Sequence, residues 1–352
     1  MAVDPQEMEK QSRIPCRHAT MKKPIAVIIL NWNGEAMLRT FLPAVILTTP
    51  TDIADIIVAD NGSTDASLSM LETTFPDIKT VKLDRNYGFA EGYNRAIAAT
   101  RYRYTVLLNS DVAPAPGWLR PLYDYLEEKT ETAAVQPKIL SYIRQDTFEY
   151  AGAAGGYIDC NGYPYCRGRL FETVEKDIGQ YDSTVSVFWA TGAALMVRTD
   201  VYESTGGLDP EFFAHMEEID LCWRIKLAGH DIAAIPASTV YHLGGGTLPA
   251  SNPHKTYLNF RNNLLLLHKN LPDSCRRRRL VIRRLYDTLA WGKYVLTLDF
   301  ANAGAILRAH RDFRKMSKNY RSHPDKNLLP SRPNIIRDYF LYRKRYFNQL
   351  KH

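Results

Sequence analysis

Between residues 25 and 109 the chain alternates two hydrophobic periods. Continuous apolar runs of strand length, IAVIILNW (25–32), IADIIVAD (53–60), IKTVKL (78–83) and YTVLLN (104–109), are separated by segments of helical spacing. In the first such segment, NGEAMLRTFLPAVILTT, the apolar positions are Met37, Leu38, Phe41, Leu42 and Val45. Further helices are predicted from Ser63 to Phe75 and through AEGYNRAIAATR. Strands alternating with helices in this way are the mark of βαβ units on a parallel sheet. After that the rhythm breaks. PGWLRPLYDYLEEK reads as a helix, AAVQPKIL as a strand, and AGAAGGYIDCNGYPYCRGRLF as a loop rich in Gly and Tyr. VSVFWATGAALMVRTD reads as two β segments around Thr191 and Gly192, ending at a helix near Asp200. FAHMEEIDLCWRIKLAGH is amphipathic: Ile219, Leu221, Cys222, Ile225 and Leu227 share a broad face, and Gly229 suits a C-cap. From Asn259 onward the pattern is helical, aromatic and basic, and no internal repeat is present.

Composition adds bounds. The 352 residues are 45% hydrophobic and 24% charged, which is enough for one large domain or two modest ones. Five scattered cysteines without a C-x-x-C pair indicate neither a disulfide framework nor a zinc ribbon, and point to the reducing cytoplasm. Residues 1–22 lack the apolar core of a secretory signal and read as a disordered leader, with a domain over 23–270. A spanning helix needs about 18 uninterrupted apolar residues, and LAWGKYVLTLDFANAGAIL is broken by Lys293 and Asp299. Charge is lopsided. Residues 275–352 hold 20 Lys and Arg against 5 Asp and Glu, so this stretch carries +15 of a total of +7 and the body is left at −8. The extension at 271–352 therefore reads as basic and helical, with a solvated face and an anionic membrane surface as equal explanations. Its aromatics, Trp291, Tyr294, Tyr339 and Phe340 among them, suit either core packing or anchorage at the inner face of a cell membrane. Nucleic acid is not expected as a partner, because acids at the strand ends would repel its phosphates.

Those strand ends carry the candidate chemistry. In open α/β sheets, ligands bind in the crevice at the carboxyl ends of the strands. The first strand ends in LNWNG, with Asn31 and Asn33; the second in VADNGSTD, with Asp60 at its tip. The third leads into RNYGFAEG, where Asn86 and Gly88 precede a helix N-terminus suited to a diphosphate, and the fourth runs into Asn109, Ser110 and Asp111. A strand-end Asp can be a mere turn former. Four polar strand ends on one rim point instead to a ligand site, and a hard divalent cation at Asp111 would neutralise a diphosphate. His242, ahead of three glycines, is a candidate second ligand. Glu217, Glu218 and Asp220 stand near a helix start, where the helix dipole favours acids; their mutual repulsion should raise at least one pKa, as a general base requires. No G-x-G-x-x-G follows the first strand, which disfavours a nicotinamide or flavin fold.

Seven ordered blocks, LNWNG, VADNGSTD, RNYGFAEGYNRAI, LLNSDV, WATGAALMVR, GGLDPEFFAHMEEIDLCWRIKLAGH and VYHLGGGT, resemble family-2 glycosyltransferases of the GT-A fold, above all the rhamnosyltransferase-like branch. The resemblance covers about residues 23–270. It implies an α/β, Rossmann-like nucleotide-binding fold with a mostly parallel sheet flanked by helices. It also implies inverting transfer of a sugar from a dTDP- or UDP-linked donor to a glycan or lipid-linked acceptor. The same likeness puts Asn31, Asn33, Asp60, Asn86, Gly88, Asn109, Ser110 and Asp111 on the donor. Mg2+ or Mn2+ would sit at Asp111 and His242, and Trp189 and Asp209 fall on the acceptor side. Asn-Ser-Asp stands where the family carries Asp-x-Asp, and Glu217-Glu218 where it carries Glu-Asp. Glu218 is the first choice for the base and Glu217 the second; its extra methylene moves the carboxylate outward by roughly 1.5 Å. Asp220 reads as a structural acid. A sugar-nucleotide-forming nucleotidyltransferase, or an inactive nucleotide-sugar-binding homologue, is the competing reading. The former should carry a Gly-rich, Lys-containing loop after its first strand, which LNWNGEAML lacks.

Overall fold

Strand β1 (Ile25–Asn31) is apolar on both faces because both are covered: Ile25, Val27 and Ile29 point into one core and Ala26 and Ile28 into the other. The structure is a computed structural model that describes residues 23–244, 252–320 and 323–351. The leader at 1–22, and Gly245 and Gly246 of the glycine run, lie outside the described residues. After β1 come α1 (Glu35–Thr48), β2 (Ala54–Asp60), α2 (Ser67–Thr74), β3 (Lys79–Lys82), α3 (Gly88–Thr100), β4 (Tyr104–Leu108), β5 (Val112–Pro114), α4 (Leu119–Glu128) and β6 (Thr132–Ser141). Four short strands follow, β7 (Gly156–Ile158), β8 (Pro164–Cys166), β9 (Arg169–Leu170) and β10 (Thr173–Val174), then β11 (Val185–Ser186), β12 (Ala194–Arg198) and α5 (Thr199–Ser204). The remainder is α6 (Glu217–Leu227), β13 (Asp231–His242), α7 (Pro253–Asn270), α8 (Asp273–Leu296), α9 (Phe300–Met316) and α10 (Ile335–Phe340).

The main sheet runs β11-β13-β6-β12-β4-β1-β2-β3, with β5 paired to the end of β13. Strands β3, β2, β1 and β4 are mutually parallel, and β6 and β13 are parallel to each other. Since β12 is antiparallel to both β4 and β6, all six of these strands end on one edge. Helices α1, α2 and α4 cover one face through Leu38, Leu42, Met70, Leu71, Leu119 and Leu122; α3, α6 and α7 cover the other through Tyr93, Ile97, Leu221, Ile225 and Leu264 to Leu267.

Three expectations are corrected. The Gly- and Tyr-rich stretch is not a loop but a four-stranded antiparallel sheet, β10-β9-β8-β7. Strands of two or three residues are too short to show a period, and this sheet owes its order to cross-strand bonding and to cover from the C-terminal end, where Ile335, Tyr339 and Leu350 pack on Tyr165 and Leu170. Helix α2 begins at Ser67 rather than Ser63. The Ser63 hydroxyl is taken by Asn31 and by the Asn33 N–H, so the Asp65 carboxylate accepts from the Ser67 N–H instead. Helix α7 starts at Pro253, ahead of Asn259, under an Asn252 cap whose side chain accepts from the His254 N–H at 2.8 Å. Between residues 323 and 334 the described chain forms neither helix nor strand.

Candidate active site

At the shared edge the loops after β1, β2 and β3 are stitched into one rim. The Asp60 carboxylate, 1% exposed, accepts from Asn31 Nδ2 at 3.0 Å and from the Ser63 N–H at 3.0 Å. Asn33 holds left-handed backbone (φ 50°) and its Oδ1 accepts from the Thr64 N–H at 2.7 Å. Asn61, which the sequence reading passed over inside VADNGSTD, is the hub of the next junction: its amide donates to Asn86 Oδ1 and the Gly88 carbonyl, and its Oδ1 accepts from the Tyr87 N–H. Gly62 is obligatory here. It has φ 71°, and a Cβ would lie 2.5 Å from the Arg85 backbone. Asn31 Oδ1 is buried without a hydrogen-bond partner, a free acceptor within the rim.

The Asn-Ser-Asp tripeptide leaves β4 toward the same edge. Asn109 N–H donates to the Ala193 carbonyl at 3.0 Å, and the register of β5 on β13 pairs Val112 with His242. That pairing sets His242 Nε2 3.1 Å from Asp111 Oδ1, while Nδ1 lies 3.3 Å from Glu149 Oε2 without the alignment of a hydrogen bond. Burial works against a charged His242, but the contacts with Asp111 and Glu149 outweigh it and carry its pKa up to about 10. Asp111 responds in the opposite sense: burial alone would raise its pKa, and the imidazole holds it below the ordinary value. Glu149 gave no signal in the sequence, where it sits in the unremarkable run TFEYAG. Among the described residues no cluster of three side chains stands preformed as a metal site. The arrangement still fits a divalent ion: one imidazole nitrogen faces Asp111 and the other a buried carboxylate, as a metal-bound histidine is held.

The acids of α6 reach the rim through the loop before β12. A Cβ on Gly192 would stand 3.7 Å from the Glu218 Cβ and 3.4 Å from the Phe89 ring, and the next residue but one along, Ala194, begins β12. The three acids differ sharply. Asp220 is fully buried yet compensated: its carboxylate meets Arg224 at 2.8 Å, Lys269 at 2.8 Å and Asn270 Nδ2 at 2.7 Å, and these outweigh burial to lower its pKa. Glu217 and Glu218 have no such partners, and one oxygen of each is buried without a hydrogen bond. Burial, with repulsion from Glu218 second, drives the Glu217 pKa well above the usual carboxyl range; burial lifts Glu218 to about 7. Desolvation rather than the expected mutual repulsion is thus the main cause.

The chain enters α6 through strained backbone. Phe213, His215 and Met216 have φ of 64°, 68° and 72°, a left-handed region that costs a non-glycine residue on the order of 1–3 kcal/mol. Two residues of α7 hold this turn. Asn262 Nδ2 lies 2.9, 2.8 and 2.7 Å from the carbonyls of Phe212, Ala214 and His215, and Arg261 Nη2 donates to those of Glu211 and Phe212. Neither residue was legible as part of a site, because their partners are carbonyls some fifty positions away. Of the two residues read toward the acceptor, Asp209 is engaged by Lys269 at 2.7 Å and Tyr320 at 2.8 Å. Trp189 is 4% exposed, closes over Gly156 and donates its indole N–H to the Tyr157 carbonyl at 2.8 Å. Both are placed as packing and linking residues.

An α/β sheet with acids at the carboxyl ends of its strands defines a class, and comparison narrows it. Residues 26–192 match the family model described as Glycosyl transferase family 2, and the chain is similar to that family. It is 25% identical over 240 residues to the N-acetylglucosaminyl-diphospho-decaprenol L-rhamnosyltransferase of Mycobacterium tuberculosis, covering 63% of this chain and 76% of that protein. Among solved structures, S. aureus TarS 1–349 in complex with UDP-GlcNAc superposes with TM-score 0.54 at 16% identity, over 84% of this chain and 81% of that one. GalNAc-T7 with UDP, GalNAc and Mn2+ superposes with TM-score 0.54 at 17% identity, over 71% of this chain but 48% of that one. The fold is GT-A, a mixed α/β sheet flanked by helices with a helical C-terminal region.

Replacing Asn262 by Ala frees the three carbonyls of the strained turn. Denaturant titration should show a loss of about 1–3 kcal/mol, the cost of leaving such groups unpaired. An unchanged midpoint would mean that the turn is held without the clamp.

Proposed function

We propose that the protein transfers a sugar, with inversion, from a dTDP- or UDP-linked donor to a hydroxyl of a glycan or lipid-linked acceptor, and that rhamnose is the sugar. It would act in the cytoplasm at the inner face of the cell membrane, in the making of cell-surface polysaccharide. The observation that carries the reading is the pair of buried, uncompensated glutamates beside the rim. A carboxyl with a pKa near 7 is matched to taking a proton from an alcohol at neutral pH. Glu218 is the base, being less buried than Glu217 and free of any cation that would hold it ionised.

Asn31, Asn33, Asp60, Asn86 and Gly88 shape the nucleoside and diphosphate side of the cleft, and Asn109, Ser110 and Asp111 its floor. Asp111 and His242 would hold Mg2+ or Mn2+, which when bound neutralises charge on the departing diphosphate. Glu149 fixes the far side of the imidazole. Metal dependence is supported by the Mn2+ in the GalNAc-T7 structure, and rhamnose by the mycobacterial relative.

Glu218→Gln should lower turnover by about 100- to 10,000-fold while donor affinity in calorimetry stays near that of the parent. Unchanged turnover would move the base to Glu217 or elsewhere. The pH profile follows from the raised pKa. Glu218 keeps its proton up to about pH 7, the base form exists only above it, and kcat/KM should therefore fall about tenfold per pH unit below that point. An acid limb near the ordinary carboxyl value would count against Glu218. Asp111→Asn should weaken Mn2+-dependent donor binding by roughly tenfold or more, read as the Mn2+ needed for half-maximal nucleotide affinity; a parental value would remove Asp111 from the metal.

A further inference from the structure

Helix α8 turns Arg283 and Asp287 inward, where they pair at 2.6 Å and His310 of α9 meets Asp287 at 3.0 Å. Among the described residues nothing covers the opposite face. Leu285, Leu289 and Leu296 lie along it, 62%, 70% and 85% exposed, and the apolar stripe continues through the turn with Leu298 at 74% and Phe300 at 65%. The aromatics singled out in the sequence are not the ones displayed here: Trp291 and Tyr294 are only half-exposed.

The turn holds a second oddity. Asp299 N–H donates to the Tyr294 carbonyl at 2.8 Å and Leu298 N–H to that of Val295 at 3.1 Å, which closes α8 with a left-handed residue at Leu298, φ 60°. Glycine or asparagine suits that position at little cost. A leucine there accepts unfavourable backbone and then projects its side chain into water, so no packing among the described residues accounts for it.

Charge indicates what accounts for it. Every exposed charged side chain between Ser274 and Tyr320 is a cation, Arg277, Arg284, Lys293 and Arg308 among them; Asp287 is buried, Asp299 and Asp312 are half-buried, and the exposed Asp273 stands at the end of α8 away from the turn. A second copy of the chain would set these cations against their own images in a two-fold pairing, where like charges repel. An anionic bilayer meets both features at once, taking leucine and phenylalanine among its acyl chains and the cations among its headgroups. No described helix is long and apolar enough to cross a membrane, so the fit is to docking at the interface.

We infer that the α8–α9 hairpin is a membrane-docking wedge for an anionic leaflet, with Leu296, Leu298 and Phe300 as its inserted tip. This deepens the membrane-side part of the proposed function and rests on it, while its test does not depend on sugar transfer.

The full chain is floated with vesicles of phosphatidylcholine alone and of phosphatidylcholine with phosphatidylglycerol. It should float with the second, less as salt rises, and not with the first. Leu296→Glu with Phe300→Glu should abolish flotation. Leu298→Asn should weaken vesicle partitioning about tenfold, the order expected for one buried leucine, yet leave the melting temperature unchanged or higher, because asparagine tolerates the left-handed backbone. No binding to phosphatidylglycerol vesicles, variants that float like the parent, or a parent dimer in sedimentation that the substitutions dissolve would each overturn the wedge. Turnover of nucleotide sugar on a water-soluble acceptor, followed in the same proteins, reports on the transferase separately: its absence with flotation intact defeats that reading and leaves the wedge standing.

Discussion

The site depends on an unequal distribution of compensating charge at the head of α6. Three acids lie within four residues, and the fold supplies cations to one of them. Arg224 from the same helix and Lys269 from α7 surround Asp220, which stays ionised in full burial. Glu217 and Glu218 are left with desolvation and no countercharge, so both pKa values rise above the usual carboxyl range, that of Glu218 to about 7. Burying a carboxylate without a partner is expensive, and structures tolerate it where chemistry uses the result. The price falls partly on α7, whose Lys269, Asn270, Arg261 and Asn262 all serve the approach to these acids.

The second acidic centre is built on the opposite principle. Here a histidine lies between two carboxylates, and the imidazole and Asp111 lower the cost of burying each other. Pairing of β5 with β13 makes this possible, because it doubles the chain back just after Asp111 and sets it beside the end of β13. A carboxylate held at low pKa beside an imidazole suits a cation, as a carboxylate of raised pKa suits the taking of a proton. One sheet edge therefore carries two electrostatic environments, separated by the Thr191-Gly192 turn and the strand β12 that runs from it.

Beyond Asn270 the chain is tied to the site as well as displayed to the outside. Tyr320 hydrogen-bonds Asp209, which shares Lys269 with Asp220, and the Ile335 N–H donates to the buried Asp159. Burial pushes the Asp159 pKa up to about 6 against its three N–H donors. The α8–α9 hairpin keeps one face for this interior and leaves the other apolar and cationic. Its inner side packs on α7, the helix whose Asn262 and Arg261 hold the turn into α6.

Local patterns determined much of this protein. The alternation of periods up to Leu108 reads correctly as parallel βαβ units, since the runs of β1, β2 and β4 are long enough to show their character and are covered on both faces, with β3 as the half-exposed edge. Asp60, Asp111, His242 and the acids of α6 were legible as polar groups at element ends, which is a property of sequence position. The tertiary structure decided the rest, because it turned on partners distant in the chain. Strands of two and three residues in β7–β10 carry no period and needed the C-terminal end to cover them. Glu149 became part of the acidic centre only through β6 folding beside β13. Which of Glu217, Glu218 and Asp220 would be neutralised was set by Lys269, some fifty residues away, and a pKa responds to the charges around it in space rather than to its neighbours in sequence.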